Sequence, residues 1–238
     1  MTALLFLAVF LAGQTRAPGS SEELVMRGRM LLAQNRLAEA QEVLEQACRA
    51  DPRNAEAHYQ LGMLYDAGRR HREAVAEFER VIQLRPEDAR AYDYLALNLE
   101  PLGEIRKAEV AYRKGLTVNQ GEMADSFLDY NYGRLLLKLN RLEESRKHLD
   151  RALTQAPETR AVFYEHARLN LYSGKLDDAR ADGERALGLA DPGGYILDLQ
   201  VYNLLVQIYS RLGNEELARK YAKLSEAATV PIRAADRR

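Results

Sequence analysis

The stretch Ala55–Asp88, AEAHYQLGMLYDAGRRHREAVAEFERVIQLRPED, decides the fold. Leu61 and Tyr65, four apart, put apolar bulk on one face of a first helix. Gly62 and Ala74 are small where a first and a second helix must cross closely. Gly68, one residue before Arg69, is expected to adopt the left-handed conformation that ends the first helix. Phe78 follows on the second helix, and Pro86 closes it, since Pro cannot continue a helix.

Moving 34 residues either way finds the same chemistry. Pro52 precedes Pro86 by that interval, and Gly28 precedes Gly62. Repeats fall at 21–54, 55–88, 89–122, 126–159, 160–193 and 199–232, with insertions at Met123–Asp125 and Gly194–Asp198. The eighth position is Gly28, Gly62, Ala96, Gly133, Ala167 and Val206. The twentieth is Ala40, Ala74, Ala108, Ser145, Ala179 and Ala218. The fifteenth, where Gly and Asn suit a turn, is Asn35, Arg69, Gly103, Asn140, Gly174 and Gly213. In the third repeat Tyr92, Leu95 and Leu99 form the inward stripe. Pro157 closes the fourth repeat. The six units resemble the tetratricopeptide repeat family, the second repeat best, through Leu61-Gly62, Tyr65, Ala74, Phe78 and Pro86. The resemblance covers 21–232. It implies an all-α chain, a right-handed α-solenoid of six helix-turn-helix repeats with a concave inner face. Departures are the missing Trp at the fourth position (Leu24, His58, Tyr92, Asp129, Phe163, Tyr202), Val81 for a small residue, and Gly183 and Ala222 for large ones. Looser packing is expected at Gly183 and Ala222, and a hinge at Asp191-Pro192-Gly193-Gly194.

Composition agrees with helix and narrows function. Hydrophobic residues make up 47% and charged residues 29%, with 15 Gly and 7 Pro. That excludes whole-chain disorder. The 34 Lys+Arg against 35 Asp+Glu lack the basic excess of a nucleic-acid binder. One Cys excludes an intramolecular disulfide and a multi-Cys zinc site. Residues 1–20 read as a secretion signal and short linker: Ala3–Ala12 is apolar, too short to span a bilayer, and Arg16 is the first charge. Gln14 stands where a lipoprotein signal box would hold its acylated Cys. Export to a periplasmic or extracellular location follows, or a cytoplasmic one if the run is not a working signal, with no membrane span after its removal. Residues 233–238 read as a short basic tail.

No phosphate loop, GxSxG turn or HExxH is found. His71 and His148 read as solvated, and His58 and His166 as hydrogen-bonded core residues. Cys48 has no evident base, and acidic pairs such as Asp177-Asp178 and Glu143-Glu144 complement helix dipoles. Neither an enzyme, a cofactor nor a metal is expected. The resemblance places the second, fifth and ninth positions of each first helix on the inner face. The fifth and ninth give Tyr59, Met63, Asp93, Leu97, Tyr130, Arg134, Tyr164, Arg168, Asn203 and Gln207 as a groove for another protein or peptide. Arg29, Gln60 and Arg90 do not match the subtype that grips a C-terminal carboxylate. A non-enzymatic scaffold is the leading expectation. A pilotin-like component of an envelope machine and an accessory subunit of a separate enzyme are the alternatives. Oligomeric state is not fixed by these patterns.

Overall fold

The computed structural model describes residues 19–119, 127–156, 158–191, 194 and 196–235, with backbone alone for 230–235. The signal run, Met123–Asp125, Pro157, Pro192 and Gly193 lie outside the described residues. Those described form twelve α-helices and no strand. The chain divides into two compact units between Pro86 and Glu87.

The first unit holds α1 (Ser21–Ala33), α2 (Leu37–Ala50), α3 (Ala55–Ala67) and α4 (His71–Leu84). The first helix of each pair opens on a side-chain cap: Ser20 in a capping box with Glu23, and Asn54 accepting from the Glu56 and Ala57 amides. Asn54 also donates to Ser21 Oγ at 2.8 Å, which donates to the Ala47 carbonyl, so three helix ends share one network. The second helices open without a side-chain cap. There Arg36 and Arg70 bond the first-turn acids Glu39 and Glu73. Where the pairs cross, a Cβ added to Gly28 would lie 2.6 Å from Leu44, and one at Gly62 would lie 3.0 Å from Phe78. Ala40, Ala74, Leu44 and Phe78 are fully buried.

The second unit holds α5 (Ala89–Leu99), α6 (Ile105–Val118), α7 (Leu128–Lys138), α8 (Leu142–Gln155), α9 (Arg160–Tyr172), α10 (Leu176–Gly188), α11 (Asp198–Arg211) and α12 (Glu215–Ala235). Three-residue turns inside most pairs make their helices antiparallel. Gly133 repeats the close crossing against Leu149, 2.8 Å from an added Cβ. Fully buried Ser145 adds an Oγ bond to the Gly133 carbonyl. Tyr112 is fully buried, stacked on Tyr132 at 5.3 Å, with its hydroxyl on Glu100.

The turns share one construction. All six fifteenth-position residues have positive φ, from 57° to 76°. The residue after each donates back to a carbonyl five positions earlier, from Arg36 to Leu31 through Asn214 to Tyr209, the longer bond of a Schellman motif. In the second repeat Gly68 does not carry the left-handed residue: its φ is −81°, and Arg69 takes φ 57°. The turn geometry is set by distance from the helix pair, so the glycine one place early cannot supply it.

Other expectations need correction. Packing at Gly183 is close, because Leu205 of α11 enters the space a side chain would fill, 2.9 Å from an added Cβ. At the last repeat Tyr221 stacks on Tyr209 at 5.6 Å and Tyr202 at 6.2 Å. The linker expected to hinge is tied across its described ends. Arg160 donates to the Leu187, Leu189 and Ile196 carbonyls and pairs with Asp198 at 2.6 Å. α12 continues to Ala235, so the expected tail from 233 is helical to that point; 236–238 lie outside the described residues.

Candidate functional site

The expected groove residues fall on α3, α5, α7, α9 and α11. In the first unit Tyr59 is half-buried, edge-on to Phe78 at 5.8 Å, and Met63 is half-buried on the same face of α3. In the second unit Leu97 is half-buried on α5. Asp93 is only 2% exposed and accepts from Asn131 Nδ2 at 2.9 and 3.1 Å. It joins α5 to α7 inside the unit and does not face a groove, because a carboxylate at that depth needs its donors.

Tyr130, Arg134, Tyr164 and Arg168 gather on α7 and α9, yet their charges are engaged within the protein. Arg134 bonds Glu100 at 2.9 Å, which also accepts from the Tyr112 hydroxyl and from Lys138. Arg168 bonds Glu165 at 2.6 Å and lies over the rings of Tyr164 and Tyr172 at 5.9 and 5.8 Å. The Arg134 and Arg168 side chains are 20% and 23% exposed. Burial pushes the Glu165 carboxyl above the usual carboxylate range, against the pull of Arg168 and Arg134. Burial likewise raises the Tyr130 phenol. Two open guanidinium forks on an exposed stripe are therefore not what the fold presents.

An opening among the described residues lies between α9 and α11. A concavity of about 160 Å³ is lined by Tyr164, Arg168, Tyr172, Gln200, Asn203, Leu204 and Gln207. Asn203 and Gln207 are exposed, and Asn203 Oδ1 accepts from Ser225 Oγ at 2.8 Å, which orients the amide. Four of these seven were expected groove residues. Gln200 falls on the second position, one helical turn before Asn203, and could have been found by carrying the stripe outward. Tyr172 is at the end of α9, beyond that stripe. Chemically the wall offers aromatic faces, amides that both donate and accept, and one guanidinium fixed by a buried acid. A larger depression of about 660 Å³ runs along α12, lined by Glu216, Arg219, Lys220, Lys223 and Leu224. Its described lining all comes from this one helix.

The histidines are all partly enclosed. His148, expected to be solvated, gives Nδ1 to Asp129 at 2.6 Å and lies 4.7 Å from the Tyr132 ring. His71 is also half-buried. His166 lies between Asp182 and Asp150 at 2.8 and 3.0 Å. His58 Nδ1 is 2.6 Å from Glu77, and Cys48 is its neighbour. Cys48 and then Glu77, beside the ring, push the His58 imidazole pKa up to about 10. An imidazole beside Cys48, absent from the sequence reading, is thus supplied by the next repeat.

Models described as tetratricopeptide repeat match residues 25–89, 59–120 and 130–195, and a second such model matches 199–225. The chain belongs to the tetratricopeptide repeat family. Over 90 residues it is 29% identical to a curated relative described as BBSome complex member bbs-4 of Caenorhabditis elegans, 38% of this chain and 20% of that protein. The chain therefore spans about a fifth of that relative's length. Among solved structures it is similar to PilW, described as a widely conserved type IV pilus biogenesis factor, with TM-score 0.75 and 19% identity over 87% of this chain and 92% of that one. It is also similar to YrrB, described as having an unusual peptide-binding site, with TM-score 0.58 and 18% identity over 77% and 91%. Tetratricopeptide repeat chains serve as protein-interaction scaffolds. No helix among the described residues is long and apolar enough to cross a membrane.

Proposed function

We propose that the protein is an exported, non-enzymatic scaffold that binds an extended peptide or a partner's loop on the inner face of its fifth and sixth repeats. The observation carrying this is the concavity between α9 and α11, where Gln200, Asn203 and Gln207 follow one another along one helix face opposite Tyr164 and Tyr172. Side-chain amides spaced by three and four suit the alternating N–H and C=O groups of an extended backbone, and the tyrosines add apolar area. The likeness to YrrB supports the reading by analogy of fold. A photoreactive residue replacing Gln207, introduced in the organism that encodes the chain, should yield a covalent adduct with another protein. The same residue replacing Arg219 on the α12 flank should not. Adducts from Arg219 alone would reject the site.

A second reading is a structural part of an envelope assembly. Its support is the PilW likeness over nearly that whole chain, together with the apolar run Ala3–Ala12. Gln14 excludes a thioether lipid anchor at that box. Cell fractionation separates the two readings: a soluble pool supports the scaffold, and co-sedimentation with membranes supports the assembly.

A further inference from the structure

We propose that Cys48, His58 and Glu77 form a binding site for a thiophilic divalent cation, with zinc the ion best matched to the set. The three residues stand on α2, α3 and α4 of the first unit, and their ligand atoms lie within 4.8 Å of one another. Thiolate, imidazole and carboxylate are the three donor types zinc takes, and three protein ligands leave a fourth position for water. Around a tetrahedral zinc, donor atoms stand about 3.3–3.7 Å apart, given bonds of about 2.0–2.3 Å. The three donor atoms lie within 4.8 Å of one another, and the His58–Glu77 pair, at 2.6 Å, must part by about an ångström to take the ion between them.

The ring orientation fits. His58 Nε2 faces the Pro52 carbonyl at 3.3 Å, and Nδ1 faces Glu77 Oε2. Both neighbours are acceptors, so with Nε2–H donating to Pro52 a cation must occupy the Nδ1 side. A metal at Nδ1 would leave Nε2–H on a backbone carbonyl, the outer partner a ligating His commonly has. Arg80 binds the same carbonyl through Nε and Nη2 at 3.3 and 3.0 Å and fixes its position. Metal binding requires deprotonated ligands, so loading is coupled to pH. Charge then balances, since thiolate and carboxylate neutralise a divalent ion around a neutral imidazole. The His58 and Glu77 side chains are 12% and 22% exposed, which shields the site and still admits an ion.

The fourth repeat shows what the pair does without a thiol. Asp129 and His148 occupy the fourth and twenty-third positions, the places of His58 and Glu77, with the carboxylate and the imidazole exchanged. Leu116 stands where Cys48 would be. Among the described residues only the Cys48 group brings three such ligands together.

Titration of the purified, reduced, metal-free chain with cobalt(II), followed by zinc, tests this. The expected result is a single ion per chain, a thiolate-to-cobalt charge-transfer band in the near ultraviolet, and loss of that band when zinc displaces cobalt. Zinc should also slow alkylation of Cys48 by a maleimide, and a chelator should restore it. Cys48→Ala, which keeps an apolar contact at that position, should remove the band. His58→Gln and Glu77→Gln, with helicity checked by circular dichroism, should each weaken zinc at least about tenfold, the scale on which even outer-shell partners act. No charge-transfer band, or zinc affinity unchanged in Cys48→Ala, would overturn the site.

Discussion

At Arg69 a side chain with a Cβ occupies φ 57°, a conformation costing an L-residue about 1–2 kcal/mol. Arg69→Gly should therefore raise the unfolding free energy by about 0.5–1 kcal/mol, after the extra freedom glycine gives the unfolded chain. Denaturant midpoints for the two proteins check this, and a lower midpoint for the glycine variant would contradict it. Arg168 is a different case, since Glu165 behind it is buried. Arg168→Ala should cost about 2–3 kcal/mol, below the usual figure for a broken buried pair because the arginine is partly solvated. Asn203→Ala, on the exposed rim, should stay within about 0.5 kcal/mol. His166 carries a pH dependence. Burial alone would lower its pKa, but Asp182 and Asp150 outweigh burial and raise it. Its contribution to stability is fully present below the unfolded value of about 6.5 and is lost as pH rises through the higher folded value. Thermal melts from about pH 6 to about pH 9 should fall less steeply for His166→Gln than for the parent. Equal slopes would remove His166 from the account.

At the scale of helices, the crossings and turns carry the fold. Ala108 and Ala179 are fully buried, and Leu at either should cost about 1–3 kcal/mol by overpacking. Gly28→Ala should do the same, since its Cβ would meet Leu44 at 2.6 Å. Melting temperatures equal to the parent's would show that these are not the contact points. The crossings, and the turns apart from the second repeat's, where Arg69 and not Gly68 takes positive φ, were legible beforehand because each is fixed by one local demand, a small residue at a crossing or a left-handed residue at a turn. What escaped the reading depends on contacts far along the chain. Gly183 reads as a void until Leu205 is placed in it. Arg134 and Arg168 read as open until Glu100 and Glu165 are seen beside them. Asp93 reads as a groove residue until Asn131 covers it. His58 reads as a hydrogen-bonded core histidine; it is hydrogen-bonded but only half-buried, and its thiol neighbour lies in the preceding repeat. Gln200 and Tyr172 flank the predicted stripe and complete the concavity.

At the scale of the molecule, repeats consume almost all of the described chain, and function must come from surfaces that stacking leaves open. In the first unit the inner-face residues Tyr59 and Met63 are half-buried. In the second, burial and ion pairing consume α5 and α7, and the amide-rich face of α11 against α9 remains. The partner segment captured through Gln207, prepared as a synthetic peptide, permits the decisive comparison. Calorimetric titration into the parent protein and into Asn203→Ala/Gln207→Ala should show affinity weakened at least about tenfold in the double variant, as for loss of two contacts above about 1 kcal/mol in sum. Its melting temperature should match the parent's. Unchanged affinity with the same melting temperature would contradict the proposed groove.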